Sequence, residues 1–189
     1  QPHRFERVKR YQKQFSEILA SADDVVVFRP FSAWVSDTDL ADPRAIAEGV
    51  RKIPCRFHAG TLSELAHQLP KALTETPTVF AVIGAGDVSE LVPLLAAELT
   101  NRFLQMTAQR IAAVQPSLAL SSAQSWRDIT SLKIGAAHPL IAFPANSGDL
   151  QALCRIAAER QLPLMILGNG TNLLGADTAT PFLAVKLQG

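Results

Sequence analysis

The sequence predicts an α/β protein organised as two units. Three observations carry that expectation. Through the first half, short apolar runs alternate with stretches of helical periodicity. After Phe103 this order breaks into mixed polarity, with Pro116 and the serines Ser117, Ser121, Ser122 and Ser125. A second strand–helix–strand run then ends at a Gly-x-Gly turn, Gly168-Asn169-Gly170.

The first half reads as follows. Phe5 to Ala20 is a helix, with Val8, Tyr11, Phe15, Ile18 and Leu19 on one face and Lys9, Arg10, Lys13 and Glu17 on the other. Val25 to Phe28 is a continuous apolar run, the pattern of a buried parallel strand. Asp42 caps a helix that has Pro43 in its first turn and reaches about Val50. Pro54 to Ala59 is a short strand. Thr61-Leu62-Ser63-Glu64 is a capping box ahead of an apolar face of Leu62, Leu65, Ala66 and Leu69. Thr78 to Ile83 is the clearest strand of this half; it ends at Gly84-Ala85-Gly86-Asp87, and a helix follows from Val88 to about Phe103.

Residues 104–128 read as a connector, carrying at most a short helix up to Val114. The second half has strands at Ser131 to Ile134 and Leu140 to Phe143, with Gly135-Ala136-Ala137 between them. Ser147 caps a helix through Arg160 whose inward residues are Leu150, Leu153, Cys154 and Ala157. Leu164 to Leu167 and Phe182 to Leu187 are the last strands.

Composition narrows the class. A hydrophobic content of 48% with 19% charged residues belongs to a folded chain rather than a disordered one. The net charge of +1 gives no global field for nucleic acid or an anionic membrane, so neither is an expected partner. The longest apolar runs, such as Leu91 to Ala97, are too short to span a bilayer. Cys55 and Cys154 are expected as buried free thiols in a reducing cytoplasm. His58, His67 and His138 share no zinc spacing, and no metal ligand set is expected. The chain opens without Met and is expected to be a piece of a longer one.

Gln1-Pro2-His3-Arg4-Phe5-Glu6-Arg7 sets a His and two Arg residues around the first helical turn. Arg4 and Arg7 can share a face and grip a carboxylate or phosphate; a solvated basic helix start is the simpler alternative. Cations there oppose the helix dipole, which calls for a reason beyond helix stability. Gln1 to Phe5, the Val25 to Phe28 strand and Ile83-Gly84-Ala85-Gly86-Asp87 together resemble the C-terminal domain of UDP-N-acetylmuramate–L-alanine ligase, a Mur ligase, over about residues 1–103. Arg29-Pro30-Phe31-Ser32-Ala33-Trp34 departs from that family's usual Tyr-Pro-Ala-Gly-Glu. The resemblance implies a Rossmann-like domain that closes over ATP and Mg2+. It implies that His3, Arg4 and Arg7 wall the L-alanine carboxylate, with Gly84, Gly86 and Asp87 at the carboxyl end of a central strand.

The second candidate is Leu167-Gly168-Asn169-Gly170-Thr171-Asn172-Leu173-Leu174. Its glycines permit φ > 0 and close approach, and consecutive N–H groups of such a turn can converge on an anion. With Thr130-Ser131 through Gly135-Ala136 before it, Ser147-Gly148-Asp149-Leu150 between, and Asp177 after it, the turn resembles the N-terminal half of the FAD-binding domain of UDP-N-acetylenolpyruvoylglucosamine reductase, over about residues 129–189. The resemblance implies a partial α+β subdomain of the vanillyl-alcohol-oxidase-like kind. It implies that Gly168, Asn169, Gly170, Thr171, Asn172, Leu173, Leu174 and Asp177 hold FAD. That family usually has Ser at position 171; Thr keeps the hydroxyl.

Together the two resemblances imply a piece across the junction of a fused, cytoplasmic cell-wall precursor enzyme. Its ligands would be UDP-sugar precursors, L-alanine, ATP, FAD and NADPH. No catalytic residue is assigned within these 189 residues, and the piece alone is not expected to turn over. Weak or absent FAD binding and self-association through an unpaired sheet edge are further expectations for it. A single flavoprotein with an accessory domain, or a non-catalytic scaffold, are the competing readings.

Overall fold

The computed structural model describes residues 1–2, 5–31, 42–72 and 77–187. The chain divides into two compact units, Gln1–Leu95 and Ala96–Gly189.

In the first unit, β1 (Val25–Phe28) pairs in parallel with β2 (Cys55–His58), Val25 opposite Cys55 and Phe28 opposite His58. Successive residues of β1 face opposite sides, as the pleat requires. Val25 and Val27 pack with Val8 of α1 (Phe5–Leu19) and with Ile46 and Ala47 of α2 (Arg44–Gly49). Val26 and Phe28 turn to the other side, against Leu62, Leu65 and Ala66 of α3 (Leu62–Gln68) and Leu91. The β1 run is therefore apolar throughout because both of its faces are covered. Asp42 accepts the Arg44 N–H at 2.9 Å, as the helix-start pattern predicts.

The capping box of α3 is formed. The Glu64 N–H donates to Thr61 Oγ1 at 3.1 Å and the Thr61 N–H donates to Glu64 Oε2 at 2.8 Å. The Thr61 N–H first, and the Thr61 hydroxyl second, hold the Glu64 carboxyl below its ordinary pKa. A carboxylate whose folded pKa is depressed stabilises the fold above its unfolded value and loses that contribution as pH falls through the folded one. Thr61→Ala is expected to cost about 1 kcal/mol and to move the Glu64 titration only part of the way towards its ordinary range, because the backbone N–H that bonds the carboxylate remains, read by NMR-detected carboxylate titration. A Glu64 that titrates in its ordinary range in the parent chain would mean the box does not persist in solution.

In the second unit, four strands lie in the order β3–β4–β6–β5. They are β3 (Ala119–Ser121), β4 (Leu140–Phe143), β5 (Leu164–Leu167) and β6 (Leu183–Lys186). β4, β6 and β5 are parallel, and β3 joins β4 antiparallel. One face of the sheet packs on α4 (Leu91–Val114) and α6 (Ser147–Glu159), through Leu104, Ile111, Leu153, Ile156 and Ala157. The other face gathers Ile141, Ala184, Leu167 and Ala137 under Trp126. Trp126 opens α5 (Trp126–Ile129), the short turn that holds up the candidate site.

Several expectations need correction. Thr78 to Ile83 is not a strand: β1 and β2 pair only with each other among the described residues, and Val79 and Ile83 are 93% and 75% exposed. Ser131 to Ile134 is a turn, with Lys133 at φ +55°, because the Lys133 N–H bonds back to Thr130 O and the Ser131 N–H goes to Gly170 O of a distant loop rather than to a sheet. The helix after the first glycine turn does not stop near Phe103. A 3-10 turn, Gly86–Glu90, leads into α4, which continues to Val114 because Leu104, Thr107 and Ile111 prolong its buried stripe.

The residue that caps α6 is Asn146, whose side chain accepts the Asp149 N–H at 3.0 Å; Ser147 is already helical. Cys154 is exposed, since Ile156 takes the inward place. Both cysteines are free, and Cys55 is only half-buried. On α1, Tyr11 and Ile18 face outward. Tyr11 sits at a bend (φ −118°, ψ 17°), and the inner stripe is Val8, Phe15 and Leu19. No helix among the described residues is long and apolar enough to cross a membrane.

Candidate functional site

The Gly168 to Leu174 turn leaves the carboxyl end of β5, just past the buried Leu167. In open sheets with parallel strands this is the end that offers room for a ligand. The turn is anchored at Gly170 and by Leu173, which packs on the cluster around Trp126. Gly170 has φ +67°, and a Cβ there would stand 2.5 Å from Ile129 O. Its own carbonyl accepts the Ser131 N–H at 3.0 Å. Only glycine meets both the conformation and the approach. Gly168 is the reverse case: a Cβ built on it would meet nothing within 4 Å.

A second close approach locks the neighbouring loops together. Gly135, at φ +101°, lies against Gly175, where a Cβ would come 2.5 Å from the Gly175 carbonyl carbon. A Cβ on Gly175 would strike Trp126. Ala137 N–H donates to Ala176 O at 3.1 Å, and Ala136 N–H donates to Asp177 Oδ1 at 3.0 Å. Trp126 and Arg127 donate their N–H groups to Ala137 O and Gly135 O, at 3.0 and 2.9 Å. Thr130 is buried, and its hydroxyl donates to Trp126 O at 2.8 Å. At the start of α5, the Ser125 hydroxyl and N–H both donate to Asp128 Oδ2, which holds that carboxyl below its ordinary pKa.

Thr171 and Asn172 form a hydrogen-bonded turn, and among the described residues the N–H groups of Asn169, Gly170, Thr171, Asn172 and Leu174 donate to no acceptor. The Thr171 hydroxyl and the Asn172 amide are exposed and likewise take no partner there. A row of free donors beside an open glycine suits an anion. Beside it lies an apolar hollow of about 150 Å³, lined by Trp126, Met165, Leu173, Leu174, Ala176 and Phe182 among others. Of these, the Trp126 and Phe182 rings meet in a tilted pair, centroids 5.7 Å apart. Asp177 differs from the other candidates in that its carboxylate is engaged inside the fold, fastening the loop that carries Ala136.

In the first unit, Gly84 and Gly86 frame a second tight turn. A Cβ on Gly84 would lie 2.8 Å from Gln1 O, and one on Gly86, at φ +79°, would strike the Phe31 ring. The Asp87 carboxylate accepts from Gln1 Nε2 at 2.7 Å and from the Arg29 guanidinium at 3.0 Å. Gln1 Oε1 is buried without a donor among the described residues. His3 and Arg4 lie outside the described residues. Arg7 is exposed on α1 and joins no ion pair among the described residues. The structure thus ties Gly84, Gly86 and Asp87 to Gln1 and Arg29, and does not bring Arg7 to them. Sequence reasoning passed over Arg29, Trp126 and Gly175. For Arg29 the available signal was a lone cation directly after a buried strand. For Gly175 it was a third glycine five residues after Gly170.

The chain matches the FAD binding domain family over residues 139–189. Its first half is similar to UDP-N-acetylmuramate–L-alanine ligases. The protein of that name from Prochlorococcus marinus (strain NATL1A) is 28% identical over 106 residues, 55% of this chain and 22% of that protein. The one from Synechococcus sp. (strain CC9311) is 31% identical over 101 residues, 52% of this chain and 21% of that protein. The UDP-N-acetylenolpyruvoylglucosamine reductase of Heliobacterium modesticaldum is 48% identical over 48 residues, 25% of this chain and 15% of that protein. The chain therefore spans about a fifth or less of the length of these relatives. By these similarities it is ligase-like in its first half and matches an FAD binding domain and a reductase at its C-terminal end, an order consistent with a segment across the junction of the two.

Proposed function

We propose that the chain belongs to a bifunctional cell-wall precursor enzyme. Its first part would serve ATP- and Mg2+-dependent ligation of L-alanine to UDP-N-acetylmuramate. Its second part would serve NADPH-dependent reduction of UDP-N-acetylenolpyruvoylglucosamine on FAD. Residues 1–103 would be a Rossmann-like ligase domain and 129–189 part of a vanillyl-alcohol-oxidase-like flavin domain, joined by residues 104–128 as a folded connector that carries the end of α4, β3 and the start of α5. The observation that carries the reading is the set of N–H groups of Asn169, Gly170, Thr171, Asn172 and Leu174 that take no acceptor among the described residues, beside the open Gly168 and within the stretch that matches the FAD binding domain.

The residues present fit the diphosphate of a flavin dinucleotide. Asn169 to Leu174 would give backbone N–H groups to it, Thr171 a hydroxyl and Asn172 an amide, while Gly168 leaves room for close approach. Asp177 would act one step back, holding Ala136 in place. Bound FAD supplies the hydride chemistry; these residues bind and orient it. In the first unit, Asp87 would order Gln1 and Arg29 around the turn, and His3, Arg4 and Arg7 would hold the alanine carboxylate.

The full-length polypeptide is expected to purify with a flavin absorbance near 450 nm and to consume ATP only with both L-alanine and UDP-N-acetylmuramate. Arg4→Ala is expected to raise the alanine KM by roughly tenfold or more without touching flavin content. An unchanged alanine KM would favour a flavoprotein with an accessory domain. Absence of both flavin and alanine-dependent turnover would favour a scaffold.

A further inference from the structure

A hollow of about 790 Å³ opens on the first unit, between α1 and the chain leaving α2, and shares no lining residue with either site above. Lys9, Arg10 and Lys13 of α1 line one wall, and Arg51 and Lys52 line the other. Glu17 is the one carboxylate on its lining, and it sits 3.9 Å from Lys13 with both side chains largely exposed. A pair of that kind neutralises little. Lys9, Arg10, Arg51 and Lys52 join no ion pair among the described residues. The chain carries a net charge of only +1, so this excess is local.

The walls are held together from beneath. Gln12 Nε2 donates to Ala45 O at 3.1 Å, and Ser16 Oγ donates to Ile46 O at 3.0 Å. A Cβ on Gly49 would strike Ser16, so the chain leaving α2 lies directly against α1 at the floor. Five cations gathered around one concavity repel each other, and Glu17 is the one carboxylate on the lining to offset them. A bound polyanion would offset the rest. The shape decides which kind: a bilayer surface is flat, whereas a ligand-sized concavity takes a compact anion.

We propose that this hollow binds a compact anion of linked phosphates, the chemistry shared by inorganic polyphosphates and nucleoside polyphosphates. In isothermal titration calorimetry the whole chain is expected to bind inorganic tripolyphosphate, weakening roughly tenfold between about 50 and about 200 mM salt. Arg51→Gln with Lys52→Gln is expected to lower affinity by about tenfold or more at an unchanged melting temperature, since both side chains are exposed. Lys9→Gln with Arg10→Gln should do the same from the opposite wall. Gly168→Asp, which adds charge to the other anion-binding turn without strain, should leave this binding intact. The proposal fails if no heat is seen, if both double variants bind like the parent, or if Gly168→Asp alone abolishes binding. It also fails if phosphatidylserine vesicles hold the chain and tripolyphosphate does not displace it, because the partner is then a lipid surface.

Discussion

Gly168→Ala and Gly170→Ala, two residues apart in one turn, are expected to give opposite results. Gly170 is at φ +67°, and a Cβ there would stand 2.5 Å from Ile129 O, a backbone atom that cannot swing aside. The left-handed backbone alone costs an alanine about 1–2 kcal/mol, and the collision adds to it. Gly170→Ala should cost about 3 kcal/mol in all, which lowers the melting temperature of a unit this size by at least about 10 °C. Gly170→Asp should do the same and lose the flavin from the full-length protein. At Gly168 a Cβ meets nothing, so alanine should leave the melting temperature within about 2 °C of the parent. It should still weaken FAD, because the new methyl occupies space a diphosphate would use; a loss of roughly tenfold is expected by flavin fluorescence titration. Equal FAD affinity in Gly168→Ala would mean the open side of the turn faces solvent rather than cofactor.

What could be read in advance follows from range. The Thr61 to Glu64 box is written in four residues and closes on itself, so its pattern is its structure. β1 was legible because a run of four apolar residues has one economical use in a sheet with both faces covered. Thr78 to Ile83 has the same local look, but a strand exists only with a bonded neighbour, and composition says nothing of where that neighbour is. β3 is the opposite case: three residues in a serine-rich stretch become a strand only because β4 lies beside them. The continuation of α4 was hidden by Thr107, a polar residue at a core position. Its hydroxyl donates to Phe103 O at 2.8 Å and accepts from Arg160 Nε at 3.0 Å, which makes full burial tolerable.

The candidate site divides in the same way. The Gly168 to Leu174 turn was visible as a short motif and holds together as one. Its support was not, because Gly135 meets Gly175 forty residues away and Trp126 lies beneath both. Such contacts between distant loops leave no mark on local spacing.

Asp149 is where a residue noticed only as part of a helix start is expected to matter most for stability. It is 2% exposed. Its carboxylate accepts from Gln115 Nε2 at 2.8 Å, from the Ala145 N–H at 2.9 Å and from Asn146 Nδ2 at 3.2 Å. One side chain therefore fastens the first turn of α6 to the end of β4 and to the segment after α4. Its charge also lies at the end of α6 where the helix dipole favours an anion. Asp149→Ala removes the acceptor and leaves three donors around a buried space, at about 1–3 kcal/mol for each that water does not reach. A total on the order of 4 kcal/mol is expected, read by chemical denaturation of the second unit. Asp149→Asn keeps the shape but offers one good acceptor in place of two, and about 2 kcal/mol is expected. A cost under about 1 kcal/mol for the alanine variant would show that water takes over the three donors. If the larger value holds, flavin affinity should fall with it, because α6 and β5 share the core through Leu153 and Leu164, and the cradle begins where β5 ends.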